Sequence, residues 1–282
     1  MISNIIYMLM GVAFLKVAGS MGTDAVAAVT TGQRLYFVLH AIMMGLCSGT
    51  TAMVGRNWGA GNKQLAGRFA ALSVLVFLID GVLLSWIAIP FLEQLVGMFG
   101  LADEAHIMAV EFSFWTAIYA PAMLVTLVFN MSFRAVGNAT TPLWAAIVGV
   151  ALSIALGAAL TFGWAGLPEL GLAGLAIGGG IATTLTIAAF LLFWALGWLS
   201  FKPYNPLPNV IKNGKTLVDI GMPAAFEQAF FQAGMLLFMI FLGSYGNAAF
   251  AAYGIGLSIL GLIIVVAFSF SISYIPQPFR LL

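Results

Sequence analysis

An all-α polytopic membrane protein is predicted by three features of this 282-residue sequence: its composition, the length of its apolar runs and the charge pattern between them. Hydrophobic residues make up 62% and charged residues 7%, whereas a soluble domain is about one quarter charged. So few charges do not cover a water-facing surface, and a mean hydropathy of +1.09 makes a bilayer the natural solvent. The net charge of +1 gives no electrostatic footprint for nucleic acid. The single cysteine, Cys47, excludes an intrachain disulfide and a cysteine-based metal site.

A membrane-crossing helix needs about 20 mostly apolar residues. Eight stretches meet that requirement: Ile2–Ala18, Thr30–Val54, Phe69–Phe91, Ile107–Phe129, Leu143–Trp164, Leu172–Trp198, Leu217–Leu242 and Ala248–Ile275. These runs are continuous, which excludes the alternating ten-residue segments of a membrane barrel. Open strands are excluded because their edges leave backbone groups unpaired in lipid. The first stretch lacks a basic leader and carries Lys16 at its far end, so it reads as a retained span rather than a signal peptide.

Charge alternates between the connections. Arg56, Lys63, Arg68, Arg134, Lys202, Lys212, Lys215 and Arg280 fall on one side, eight of the ten basic residues. Asp24, Glu93, Asp103, Glu104 and Glu169 fall on the other, with Lys16 and Arg34 near that interface. By the positive-inside rule the basic side and the N-terminus are cytoplasmic, which implies a multi-pass protein of the cell (inner) membrane. The stretch from Phe201 to Lys215 holds Pro203, Pro206 and Pro208 and is expected to be an extended linker. The expected organisation is therefore a six-helix bundle over 1–200, a cytoplasmic linker over 201–216, and two helices of a second bundle over 217–282.

An internal repeat supports two related bundles. GSMGTDAVAA, Gly19 to Ala28, and GSYGNAAFAA, Gly243 to Ala252, agree at six of ten positions at an offset of 224. Six expected spans separate them, an even number, so both copies have one orientation, which is a parallel repeat of the kind found in transporters. At the same offset Leu282 falls opposite Trp58, and the repeat leads to the expectation of four further spans.

Four motifs carry a family resemblance: the Gly19–Gly22 turn with its Ala-rich continuation; AMVGRNWGAGNKQLAGR, Ala52 to Arg68; FRAVGNATTPLW, Phe133 to Trp144; and IGMPAAFEQ, Ile220 to Gln228. In order and spacing these resemble the multidrug and toxic compound extrusion (MATE) transporters. The resemblance implies a twelve-helix, two-lobe antiporter, here C-terminally incomplete. It would export organic cations or amphipathic molecules in exchange for protons or sodium ions, without another cofactor. It also implies structural turns at Gly19, Gly22, Gly59, Gly61, Arg134, Gly137 and Pro142. Where the family often carries an Asp in the first span, this sequence has Phe14. An alternative within the superfamily is a lipid-linked oligosaccharide flippase, disfavoured because the mid-span charges are acidic or His. A non-transporting fragment is a third reading.

Ionisable groups within a bilayer are functional candidates by default. Three stand about ten residues into their spans: His40, Asp80 and Glu227. A carboxylate in apolar surroundings favours its protonated form, and an approaching cation favours the ionised one, so one site can hold either proton or drug. Glu227 also stands where the family often carries a carboxylate, and Gln228 and Gln232 lie beside it on the same helix. For each residue the competing role is helix packing. No Ser/His/Asp grouping, HExxH or Walker pattern points to catalysis, so an enzyme is not expected.

Overall fold

The computed structural model describes residues 2–197 and 210–243, and all of its regular structure is helical. The helices are α1 (Ile2–Gly19), α2 (Thr23–Leu46), α3 (Ser48–Gly59), α4 (Lys63–Ala88), α5 (Leu92–Gly97), α6 (Asp103–Ile118), α7 (Ala120–Ala135), α8 (Thr140–Phe162), α9 (Ala173–Ala195) and α10 (Val210–Gly243). Short 3₁₀ turns follow α4 and α8.

Four helical segments are each long and apolar enough to cross a membrane: Thr23–Gly59, Lys63–Gly97, Thr140–Phe162 and Ala173–Ala195. The pair α6 and α7 makes a fifth, bent by 53°. The expected span over Ile107–Phe129 falls on this bent pair: Pro121 lies in its middle and cannot donate to the ladder. Helix α1 is apolar but shorter, and α10 contains the expected seventh span. The expected eighth span, and the second copy of the repeat beyond Gly243, lie outside the described residues.

The linker expectation is corrected in part. Val210 already begins α10, so Lys212 and Lys215 belong to a helix rather than to an extended strand of chain. The three prolines all precede Val210, so no ring interrupts the helical ladder from there to Lys215, and Gly214 is tolerated within it. Residues 201–209 lie outside the described residues.

Glycines determine how closely the helices approach. Lipid tails are as apolar as Leu, so association within a bilayer depends on packing rather than on water expulsion. A Cβ at Gly174 would stand 2.6 Å from the carbonyl carbon of Leu160, and one at Gly178 would meet the backbone of Gly157. Helices α8 and α9 therefore touch backbone to backbone through a Gly-x-x-x-Gly spacing. The same spacing, Gly45 and Gly49, seats α10 against α2 and α3. A Cβ at Gly45 would stand 2.6 Å from the Ala224 carbonyl oxygen, while Gly49 faces Leu217 and Gly221 faces Leu46.

Side chains fill the space between. Near the basic end, Phe69, Phe129, Phe133, Phe190 and Trp194 form one buried cluster, with Phe129 and Phe190 stacked at 5.2 Å. Near the other end, Phe14, Phe112, Leu172 and Leu175 form a second. Outward faces stay apolar: Val82, Leu83, Trp86 and Ile87 of α4 are all exposed, which suits lipid and not water.

The turns show why these helices start and stop where they do. Gly22, Gly61 and Gly137 adopt φ of 121°, 77° and 80°, a region that favours glycine over residues with a Cβ. Asn62 caps α4 by accepting the Leu65 N–H at 3.1 Å, and Asn138 accepts the Thr141 N–H at 3.1 Å as α8 begins. Gly19 and Gly59 close α1 and α3. Arg134 sits in the last turn of α7, and Pro142 is buried in the first turn of α8.

Candidate functional site

Helix α10 sorts its side chains by face. Gly221, Ala225 and Gln232 are buried and Gln228 is half-buried; their spacing places all four on one stripe. The stripe is the side that meets α2, through Ala224 and Ala225 against Gly45. Glu227 is exposed, with Phe226, Phe230 and Phe231, of which Phe230 is 74% exposed. Gln228 and Gln232 thus divide from Glu227, the amides lying toward α2 and the carboxylate away from it. Pro223 lies inside α10 one turn before Glu227 and leaves the carbonyl four residues earlier without its helical donor.

Asp80 is half-buried on α4, and its Oδ2 is buried without a hydrogen-bond partner. Val76, one turn earlier on the same face, packs on Gly214 of α10, where a Cβ would stand 3.3 Å from Val76 Cγ2. Asp80 is therefore placed on the side of α4 that turns toward α10. An unpaired carboxylate oxygen in such surroundings is costly, so its retention calls for a proton, an ion or a partner in another state.

His40 is half-buried on α2. Its Nδ1 is 3.1 Å from the Tyr36 hydroxyl, and the two rings lie 5.3 Å apart. Both line a narrow cavity of about 50 Å³ between α2, α4 and the α6–α7 bend. Ser113, 4% exposed, also lines it, and its Oγ has no hydrogen-bond partner.

The three ionisable candidates occupy three helices and do not form one cluster. No group of three or more His, Cys, Asp or Glu suited to a metal occurs among the described residues. Phe14 is buried and packs on Gly179, where a Cβ would stand 3.5 Å from the ring. Glu111 and Lys16 are exposed. Sequence reasoning missed Tyr36, whose spacing of four from His40 would have indicated it. It also missed Ser113, which no local pattern marks.

Helices of bilayer length, joined by short turns and carrying ionisable and amide side chains within the apolar stretches, define the class: an α-helical polytopic membrane protein. The MatE family model matches residues 1–159 and 223–276, and the chain belongs to that family, the MATE multidrug efflux transporters, which are not enzymes. It is similar to the probable multidrug resistance protein YoeA of Bacillus subtilis, 25% identical over 248 residues, covering 86% of this chain and 54% of that protein. The probable multidrug resistance protein NorM of Thermotoga maritima is 26% identical over 272 residues, covering 96% and 58%. The crystal structure of the Vibrio cholerae MATE transporter VcmN in the bent form has the same fold over 92% of this chain and 58% of that one, with a TM-score of 0.78 and 23% identity. The chain thus spans 54% and 58% of the length of these two relatives.

Proposed function

We propose that the chain contributes the first bundle (1–200), a cytoplasmic connection (201–216) and the opening of a second bundle (217–282) of an ion-coupled antiporter. That antiporter exports cationic or amphipathic small molecules by alternating access. The observation that carries the coupling step is Glu227, a carboxylate near the middle of the 34-residue α10, set among exposed phenylalanines. There it exchanges a proton or sodium ion for an organic cation, whose flat rings the neighbouring phenylalanines hold by cation–π attraction. Gln228 and Gln232 supply amide contacts at the seam with the first bundle. Asp80 serves as a second carboxylate on the first-bundle side, and His40 as a proton-binding group.

The N-terminus lies in the cytoplasm and the protein in the inner membrane. Family membership and the asymmetry of basic residues support both statements. The reading is tested with everted vesicles loaded with the transporter, together with the length its relatives carry beyond this chain. An imposed proton or sodium gradient is expected to drive movement of a fluorescent organic cation such as ethidium. Transport indifferent to both gradients would remove the ion-coupled assignment.

A further inference from the structure

The bend between α6 and α7 is seated in a receptacle. Pro121 has no N–H for the carbonyl of Ala117, four residues earlier. The Ser85 hydroxyl of α4 takes that place, donating to Ala117 O at 2.6 Å, and the same Oγ lies 2.8 Å from Gly81 O in its own helix. A serine hydroxyl has one proton to donate, so Ser85 can release Ala117 and remain satisfied by Gly81. Gly81 itself lets the backbone of α4 ride on the proline, since a Cβ there would stand 2.5 Å from Pro121 Cα. On the other flank the Tyr119 ring occupies the space a side chain would need at Gly180 of α9.

The two arms of the bend share α9 and otherwise pack on different helices. Helix α6 packs mainly on α2 and α9, and α7 mainly on α4, α3 and α9. The 50 Å³ cavity lies between them. Tyr36, His40 and Ser113 form one wall, and Leu84, Ser85 and Met123 the other. Interiors are generally close-packed, so this cavity gives α6 room to move against α4 and α7.

We propose that the Tyr119–Pro121 bend is a hinge inside the first bundle. About it α6 and the adjoining half of α2 swing against α4 and α7. The Ser85 hydroxyl passes its hydrogen bond between the Ala117 and Gly81 carbonyls, and the cavity closes. The motion carries the wall that holds His40 and Tyr36, so the surroundings of His40 change with the angle of the bend.

The test is the distance between spin labels at Trp86→Cys and Glu104→Cys, measured by pulsed electron paramagnetic resonance on the chain in lipid nanodiscs. Both positions are exposed, and the buried Cys47 does not compete for label. Two distance populations are expected for the otherwise native chain. Pro121→Ala restores the backbone donor to Ala117 and is expected to collapse them to the straighter one. Ala120→Leu fills the cavity and is expected to collapse them to the bent one. Ser85→Ala removes the hydroxyl that donates to either the Ala117 or the Gly81 carbonyl and is expected to shift the ratio of populations at least twofold. A single distribution, identical in all four proteins, would overturn the hinge. If Pro121→Ala does not insert, Ala120→Leu and Ser85→Ala decide the matter alone.

Discussion

Ser73 shows how a polar residue is accommodated between α3 and α4. It is fully buried, donates to the Phe69 carbonyl at 2.8 Å and accepts from Thr50 Oγ at 3.0 Å. Such interhelical bonds average about 0.6 kcal/mol in a membrane protein, with a maximum near 1.7. Ser73→Ala is therefore expected to lower stability by about that amount. In a double-mutant cycle with Thr50→Val the pair should lose less than the sum of the single changes. Unfolding in mixed micelles reads both values. The candidate residues were legible to different degrees at this scale. Glu227 announced itself as a rare charge in an apolar run. Asp80 did too, but its orphaned Oδ2 and its position on the α10 side of α4 depend on contacts between residues far apart in sequence. The separation of Gln228 and Gln232 from Glu227 follows from helical spacing once the face that meets α2 is known. That face is fixed by Gly45 and Gly49, whose role needed the fold.

Among the elements, close approach through glycine is the recurring device. At Gly221 any side chain would meet the backbone of Leu46, and at Gly49 that of Leu217. Neither obstacle is a flexible side chain that can turn away. Gly221→Val is expected to lose the α10 contact with α2 and α3, with a cost beyond the roughly 1–3 kcal/mol of ordinary overpacking. Gly59 meets nothing within 4 Å, so Gly59→Ala should change the melting temperature in detergent very little. A Gly221→Val protein as stable as the parent would refute the seating of α10. Helix existence was readable from apolar run length, because the bilayer imposes it. Boundaries and bends were less so. The span expected from Ile107 is two helices because Pro121 removes one donor and Ser85 of another helix replaces it. The part of the expected linker from Val210 onward is helical, because its prolines all precede that residue.

For the molecule as a whole, orientation rests on eight basic residues against two. A cysteine introduced at Asn62, which is exposed in the turn before α4, is expected to react with an impermeant thiol reagent only from the cytoplasmic side. Cys47 is fully buried and gives no background. Labelling from outside would reverse the topology. The parallel repeat was visible in the sequence as two Gly-rich turns at one offset, and its first copy forms the α1–α2 turn at Gly22. The second copy lies outside the described residues, so the two-bundle organisation remains a proposal that rests on the repeat and on family membership.

Coupling through Glu227 is the central claim, and one comparison tests it most directly. Ion-driven efflux of an organic cation is measured for the native transporter, Glu227→Gln and Glu227→Asp, at equal amounts of inserted protein. Glu227→Gln keeps the shape and removes the titratable group, so gradient-driven efflux is expected to fall to background. Glu227→Asp keeps the carboxylate and should retain a measurable part. Undiminished gradient-driven efflux by Glu227→Gln would contradict the account.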